Sequence, residues 1–161
     1  MEILAHPNPA LAQRAADAEP GSDRGLRRLV EDLAHAMYDA PGVGLAATQV
    51  GVLKRVLVYD IDDGLVAVCN PVIVSRSDEV ELDDEGCLSL PGITVPVERA
   101  CSVVCEGVDL DGHAMRIEGE GLLARVLQHE TDHLDGVLII DRATAQDRKD
   151  ALRRYHELHT G

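Results

Sequence analysis

The chain has 161 residues, a net charge of −14, and three aromatic side chains, all Tyr. A chain of this length buries roughly 70% of its unfolded surface, so it can build an aliphatic core without disulfide or metal staples. The acidic charge and the lack of rings for base stacking argue against a dedicated nucleic-acid binder or specific DNA as partner, and no apolar run approaches the ~20 residues of a membrane span.

Residues 1–21 read as an irregular lead-in without a secretory signal pattern, which points to a cytoplasmic location. The four cysteines, Cys69, Cys87, Cys101 and Cys105, then read as reduced thiols. Ser22 or Asp23 can cap a helix to about Ala40, whose stripe Leu26, Leu29, Val30, Leu33 and Met37 has a 3.6-residue period. Pro41-Gly42 ends it, and a Gly-rich apolar stretch follows over 42–51. Strands are predicted at Arg55–Ile61, Leu65–Cys69 and Val72–Val74, and a loop with a strand near its end over Asp83–Pro96. Cys101–Leu110 and Ala114–Glu118 form a hairpin about Asp111-Gly112. Glu118–Asp135 is a helix with a broad apolar face and Gly136 as its stop, and Ala145–His159 is a last helix of mixed charge. These elements predict a single α+β domain over residues 1–161, with short β-sheets packed around a central buried helix and a helix near each terminus.

That central helix carries His129-Glu130-Thr131-Asp132-His133. Two His at i and i+4 share one helical face and can share a cation, while Glu130 beside them can take a proton from water. The composition yields about 0.02 chance matches to such a pattern, which sets coincidence aside. A catalytic metal needs a third protein ligand. Glu157 would complete a two-His, one-Glu endopeptidase site, Asp135 sits at the helix end on another face, and Cys87 lies in a loop beside Gly86. A thiolate suits Fe(II), Co(II), Ni(II) or Zn(II) and excludes Mg²⁺ and Ca²⁺.

Three motifs in order extend the pattern: Gly42-Val43-Gly44-Leu45-Ala46-Ala47-Thr48-Gln49, Glu85-Gly86-Cys87-Leu88-Ser89, and His129 to Gly136 with Asp132 and Leu134. With them the chain resembles the peptide deformylases, metallohydrolases that remove the formyl group from N-formylmethionine on nascent bacterial proteins. The resemblance implies that Cys87, His129 and His133 hold one divalent metal, natively Fe(II), with Ni(II), Co(II) or Zn(II) as substitutes. It implies Glu130 as general base, the Gln49 side chain and the Leu88 backbone N–H as donors to the formyl oxygen, and Gly44 as a backbone contact to the peptide. Val43, Leu122 and Val126 adjoin the motifs and can line a methionine pocket, with the Arg125 stem at its rim. In related enzymes a C-terminal helix docks on the ribosome. Arg148, Lys149, Arg153 and Arg154 permit this here, although a mixed-charge surface helix is the commoner explanation. The alternatives are a zinc endopeptidase using Glu157 and an inactive relative that binds formyl peptides or ribosomes. The other three cysteines read as packing.

Overall fold

The computed structural model describes residues 1–160. The predicted first helix is α1, Leu26–Asp39, with its apolar stripe buried, although its N-cap is Gly25 and neither Ser22 nor Asp23 caps it. Three short strands follow, β1 at Gly44–Ala46, β2 at Val56–Tyr59 and β3 at Val66–Arg76. Next come β4 at Val80–Gly86 and β5 at Thr94–Ala100, then the predicted hairpin as β6, Ser102–Val108, and β7, Ala114–Glu120. Helix α2 spans Gly121–Leu134, the short α3 spans Ile139–Arg142, and α4 spans Ala145–Thr160.

Strands β1-β2-β3-β6-β7 form an antiparallel sheet in that order, and β4 pairs with β5 in a separate ribbon. Side chains alternate across β2, so Val56 and Val58 pack toward α1 while Leu57 packs toward α2. The sheet is therefore covered by a helix on each face. A third apolar cluster, including Val95, Val97, Ile139, Ile140 and Tyr155, joins the ribbon to α3 and α4. Helix α2 is buried on nearly every side, as the sequence predicts for a central helix. Among the described residues no helix is long and apolar enough to cross a membrane.

Three further expectations are corrected. The two strands predicted at Leu65–Cys69 and Val72–Val74 are one strand with a bulge: Asn70 has φ +53° and the register shifts between Cys69 and Val72. The bulge accommodates Pro71, which has no N–H to give to a ladder. It also turns the Asn70 side chain onto the Ala18 backbone, where it accepts from N–H at 2.7 Å and donates to C=O at 3.0 Å. The predicted loop over Asp83–Pro96 holds at residues 87–93, with β5 as the strand near its end, but Asp83–Gly86 belong to strand β4. Strand β4 hides its alternation because it is an edge strand, exposed everywhere except Glu85, and charged edges suit that position. Finally, α2 starts at Gly121, φ +55°, rather than Glu118, because β7 continues through Glu120. It stops at Gly136, φ +76°, where a Cβ would also lie 2.7 Å from the Ala12 backbone.

Candidate metal centre

The three sequence motifs are stitched together by buried hydrogen bonds. A 3-10 turn after β1, Ala47–Val50, carries Gln49. Its Oε1 accepts from the Ala46 N–H at 3.0 Å, and its Nε2 donates to Ser89 Oγ at 3.1 Å. The second N–H of that amide group is left for the Cys87 side, with Nε2 3.8 Å from Sγ. Thr48 Oγ1 donates to the His133 carbonyl at 3.1 Å, tying the first motif to α2. Glu85 ties the second motif to the third: its Oε1 is 2.9 Å from His129 Nδ1.

At the junction, Cys87 Sγ lies 3.3 Å from His133 Nε2, which lies 3.1 Å from His129 Nε2. Potential ligand atoms of the three residues all lie within 4.8 Å of one another. One soft sulfur and two imidazole nitrogens suit a first-row transition metal and not Mg²⁺ or Ca²⁺. Three protein donors beside an open cleft also match the catalytic rather than the structural pattern of metal sites. Glu130 Oε2 is 3.9 Å from His129 Nε2, and Glu130 Oε1 is buried without a hydrogen-bond partner. The residues present therefore fit a divalent metal with a carboxylate next to it.

Burial sets the electrostatics. It raises the Glu130 carboxyl to about 7, with His129 only partly opposing. It depresses the His133 ring well below its ordinary value, helped by His129 and Arg99. Burial also works against a charged His129, but Glu130, Cys87 and Glu85 outweigh it and hold that ring well above its ordinary value. For Glu85, burial pushes the carboxyl up, yet hydrogen bonds from His129 and Arg99 prevail and hold it at about 2.

A cleft of about 700 Å³ opens over these groups, and every sequence-predicted site residue except His133 lines it. His133 is buried behind them. Val43 and Leu122 stand exposed at the mouth, while Val126 is buried in the wall. Gly44 lies against Glu130, and a Cβ there would sit 2.7 Å from Glu130 Oε2. Glu157 is exposed on α4 and Asp135 pairs with Arg55 at 2.9 Å, so neither joins the cluster.

A sequence model of the polypeptide deformylase family matches residues 1–149. The chain belongs to the polypeptide deformylase family. It is 51% identical over 142 residues to the peptide deformylase of Acidothermus cellulolyticus, covering 87% of this chain and 78% of that one. The crystal structure of a peptide deformylase from Legionella pneumophila superposes with a TM-score of 0.92 at 40% identity, over 99% of this chain and 95% of that chain. A peptide deformylase from Synechococcus elongatus, solved in complex with actinonin, has a TM-score of 0.90 at 36% identity, over 96% and 85% of the two chains. The chain is thus an enzyme of the deformylase family, and the endopeptidase alternative lapses with Glu157 outside the cluster.

Sequence reasoning missed the support behind the deformylase motifs. Arg99 is buried between Glu85, with contacts of 2.9 and 3.0 Å, and Asp132, at 2.6 Å. Asp132 in turn accepts two bonds from Arg142, at 2.9 and 3.0 Å. The signal for Arg99 was present: Val95, Val97 and Arg99 alternate along β5, and all three face inward. On α4, Arg148 bonds Asp141, Arg153 pairs with Asp150, and Arg154 bonds the Thr94 carbonyl, so three of its four basic side chains are engaged within the chain.

Proposed function

We propose that this protein is a metal-dependent hydrolase of the cytoplasm that removes the formyl group from the N-terminal formylmethionine of newly synthesised proteins, releasing formate. The carrying observation is the convergence of Cys87 Sγ, His129 Nε2 and His133 Nε2 beside the buried Glu130, under a largely apolar cleft. Held by those three residues, a divalent metal would supply Lewis acidity and lower the pKa of a coordinated water. Fe(II) is the native metal in this reading, with Ni(II), Co(II) or Zn(II) as substitutes.

The chain's own residues do the rest. Glu130, buried beside the three converging donors, can take a proton from water as that water adds to the formyl carbon, and give it to the amine as the C–N bond breaks. Gln49 Nε2–H and the Leu88 backbone N–H donate to the formyl oxygen, where negative charge grows; one such donor is worth roughly 3–4 kcal/mol at the transition state. Val43, Leu122 and Val126 contact the methionine side chain. Gly44 presents its backbone to the peptide, and lacking a Cβ it leaves Glu130 its place. For a ribosomal partner the support is the basic cluster of α4, and three of its four side chains are engaged within the chain.

The test is formate release from formyl-Met-Ala-Ser by anaerobically purified protein loaded with Fe(II) or Ni(II). Metal-dependent release is expected, with metal and activity both lost in Cys87→Ala; no release from folded, loaded protein refutes the reading. Metal analysis after anaerobic purification should find iron, and zinc with full activity would count against it.

Gly44→Ala is expected to keep the metal but lower kcat by about 100-fold, because the added methyl displaces the Glu130 carboxylate. Wild-type turnover in that variant would show that the carboxylate's position tolerates the shift.

A further inference from the structure

We propose that Arg125 is a positioning residue for the metal centre, holding the Glu85 carboxylate against His129 and fastening the β4–β5 ribbon to α2. This rests on the metal-centre reading above. Arg125 lies one turn before His129 on α2, and the two side chains grip opposite oxygens of one carboxylate. Arg125 Nη1 donates to Glu85 Oε2 at 2.5 Å, and His129 Nδ1 meets Glu85 Oε1 at 2.9 Å. The same guanidinium also donates to the Val97 carbonyl on β5 and the Glu81 carbonyl on β4, each at 2.9 Å. One side chain therefore reaches both strands of the ribbon and the Glu85 carboxylate that β4 carries.

The placement matters because the ligands come from the two bodies that Arg125 joins. Helix α2 carries His129 and His133, and β4 runs directly into Cys87, two residues after Glu85. The spacing of ribbon and helix decides whether sulfur and nitrogens meet. Two arginines set that spacing. Arg99 bridges Glu85 to Asp132 away from the cleft, whereas Arg125 lines the cleft itself. A planar guanidinium with several fixed donors can make these bonds together, which a flexible ammonium cannot. Groups that orient a ligand histidine typically change metal affinity or activity by 10–100-fold when removed.

Arg125 also contributes its stem to the cleft wall, so the test must separate wall from clamp. Arg125→Leu keeps an apolar wall and removes every one of these bonds, and Arg125→Gln is a second, uncharged variant. Wild-type and variant proteins are loaded with Ni(II) or Co(II), and folding is checked by thermal melting. Release of Ni(II) to a chromogenic chelator is expected to quicken by about tenfold, and the Co(II) absorption bands to shift. For the Leu variant, kcat on formyl-Met-Ala-Ser falls while KM stays near wild type. Wild-type release and a wild-type Co(II) spectrum in whichever variant folds overturn the proposal; a raised KM alone would make Arg125 a wall only. Wild-type protein that takes up neither metal overturns the metal-centre reading and this proposal together, a result distinct from an unaltered variant.

Discussion

Glu130→Gln is expected to lower kcat/KM for formyl-Met peptides by about 10²–10⁴-fold while leaving metal content at the wild-type level. The amide has the shape of the carboxyl it replaces, so it fits the space that Gly44 leaves. It cannot accept a proton from water at neutral pH, and Glu130 is the buried carboxylate 3.9 Å from His129 Nε2. Metal content should survive because Glu130 is not among the three converging donors. Stability supplies a second readout. The folded Glu130 carboxyl is raised from an ordinary 4.5 to about 7, so the folded state binds the extra proton between those values. Its contribution is fully present below about 4.5 and is lost as pH rises through about 7. Metal-free wild type should therefore lose thermal stability over that window, and the Gln variant should lack this loss. Wild-type formate release from the Gln variant would remove Glu130 from the mechanism.

Arg99→Met should destabilise the fold by about 3–5 kcal/mol, the usual result of breaking a buried ion pair from one side. For a chain of this size that is a fall in Tm of roughly 6–20 °C. Arg99 is only 5% exposed and lies between two carboxylates, so methionine would leave Glu85 and Asp132 facing each other without it. Arg125 and Arg142 keep part of the compensation, which argues for the lower half of the range. The pH dependence identifies the cause. The folded Glu85 carboxyl lies at about 2, below its ordinary 4.5. The stability it contributes is present above 4.5 and is lost as pH falls through about 2. Removing Arg99 should raise that carboxyl and shrink the acid-dependent loss. A Tm within about 2 °C of wild type, measured at pH 7, would show that the network is not holding the fold.

The residues proposed as metal ligands and base were singled out from the sequence within 42–49, 85–89 and 129–136, through three local motifs and the family resemblance they carry. What binds the motifs to one another was not legible there. Gln49 to Ser89, Thr48 to His133, and Glu85 to His129 all join residues about 40 or more positions apart, and no short-range pattern announces such pairs. Strand β4 was obscured for a different reason: an edge strand exposed on both faces has no apolar alternation to show. Strand β3 was split because Pro71 reads as a break, whereas a bulge at Asn70 carries the strand past it.

The sequence by itself determined that His129 and His133 share one helical face next to Glu130, since a period of 3.6 residues is a property of the backbone. It likewise determined that a soft sulfur ligand was available in Cys87, and that Gly136 would stop the helix. Tertiary structure alone decided that Cys87, and not Glu157, meets those imidazoles, and that Glu85 is the shared partner of His129, Arg99 and Arg125. It also decided that Gly44 is needed to make room for Glu130. The division follows from the forces involved. Hydrogen bonds along the chain set local geometry, but the pairing of buried charges depends on desolvation, which exists only once the ribbon, the helix and the sheet have closed around them.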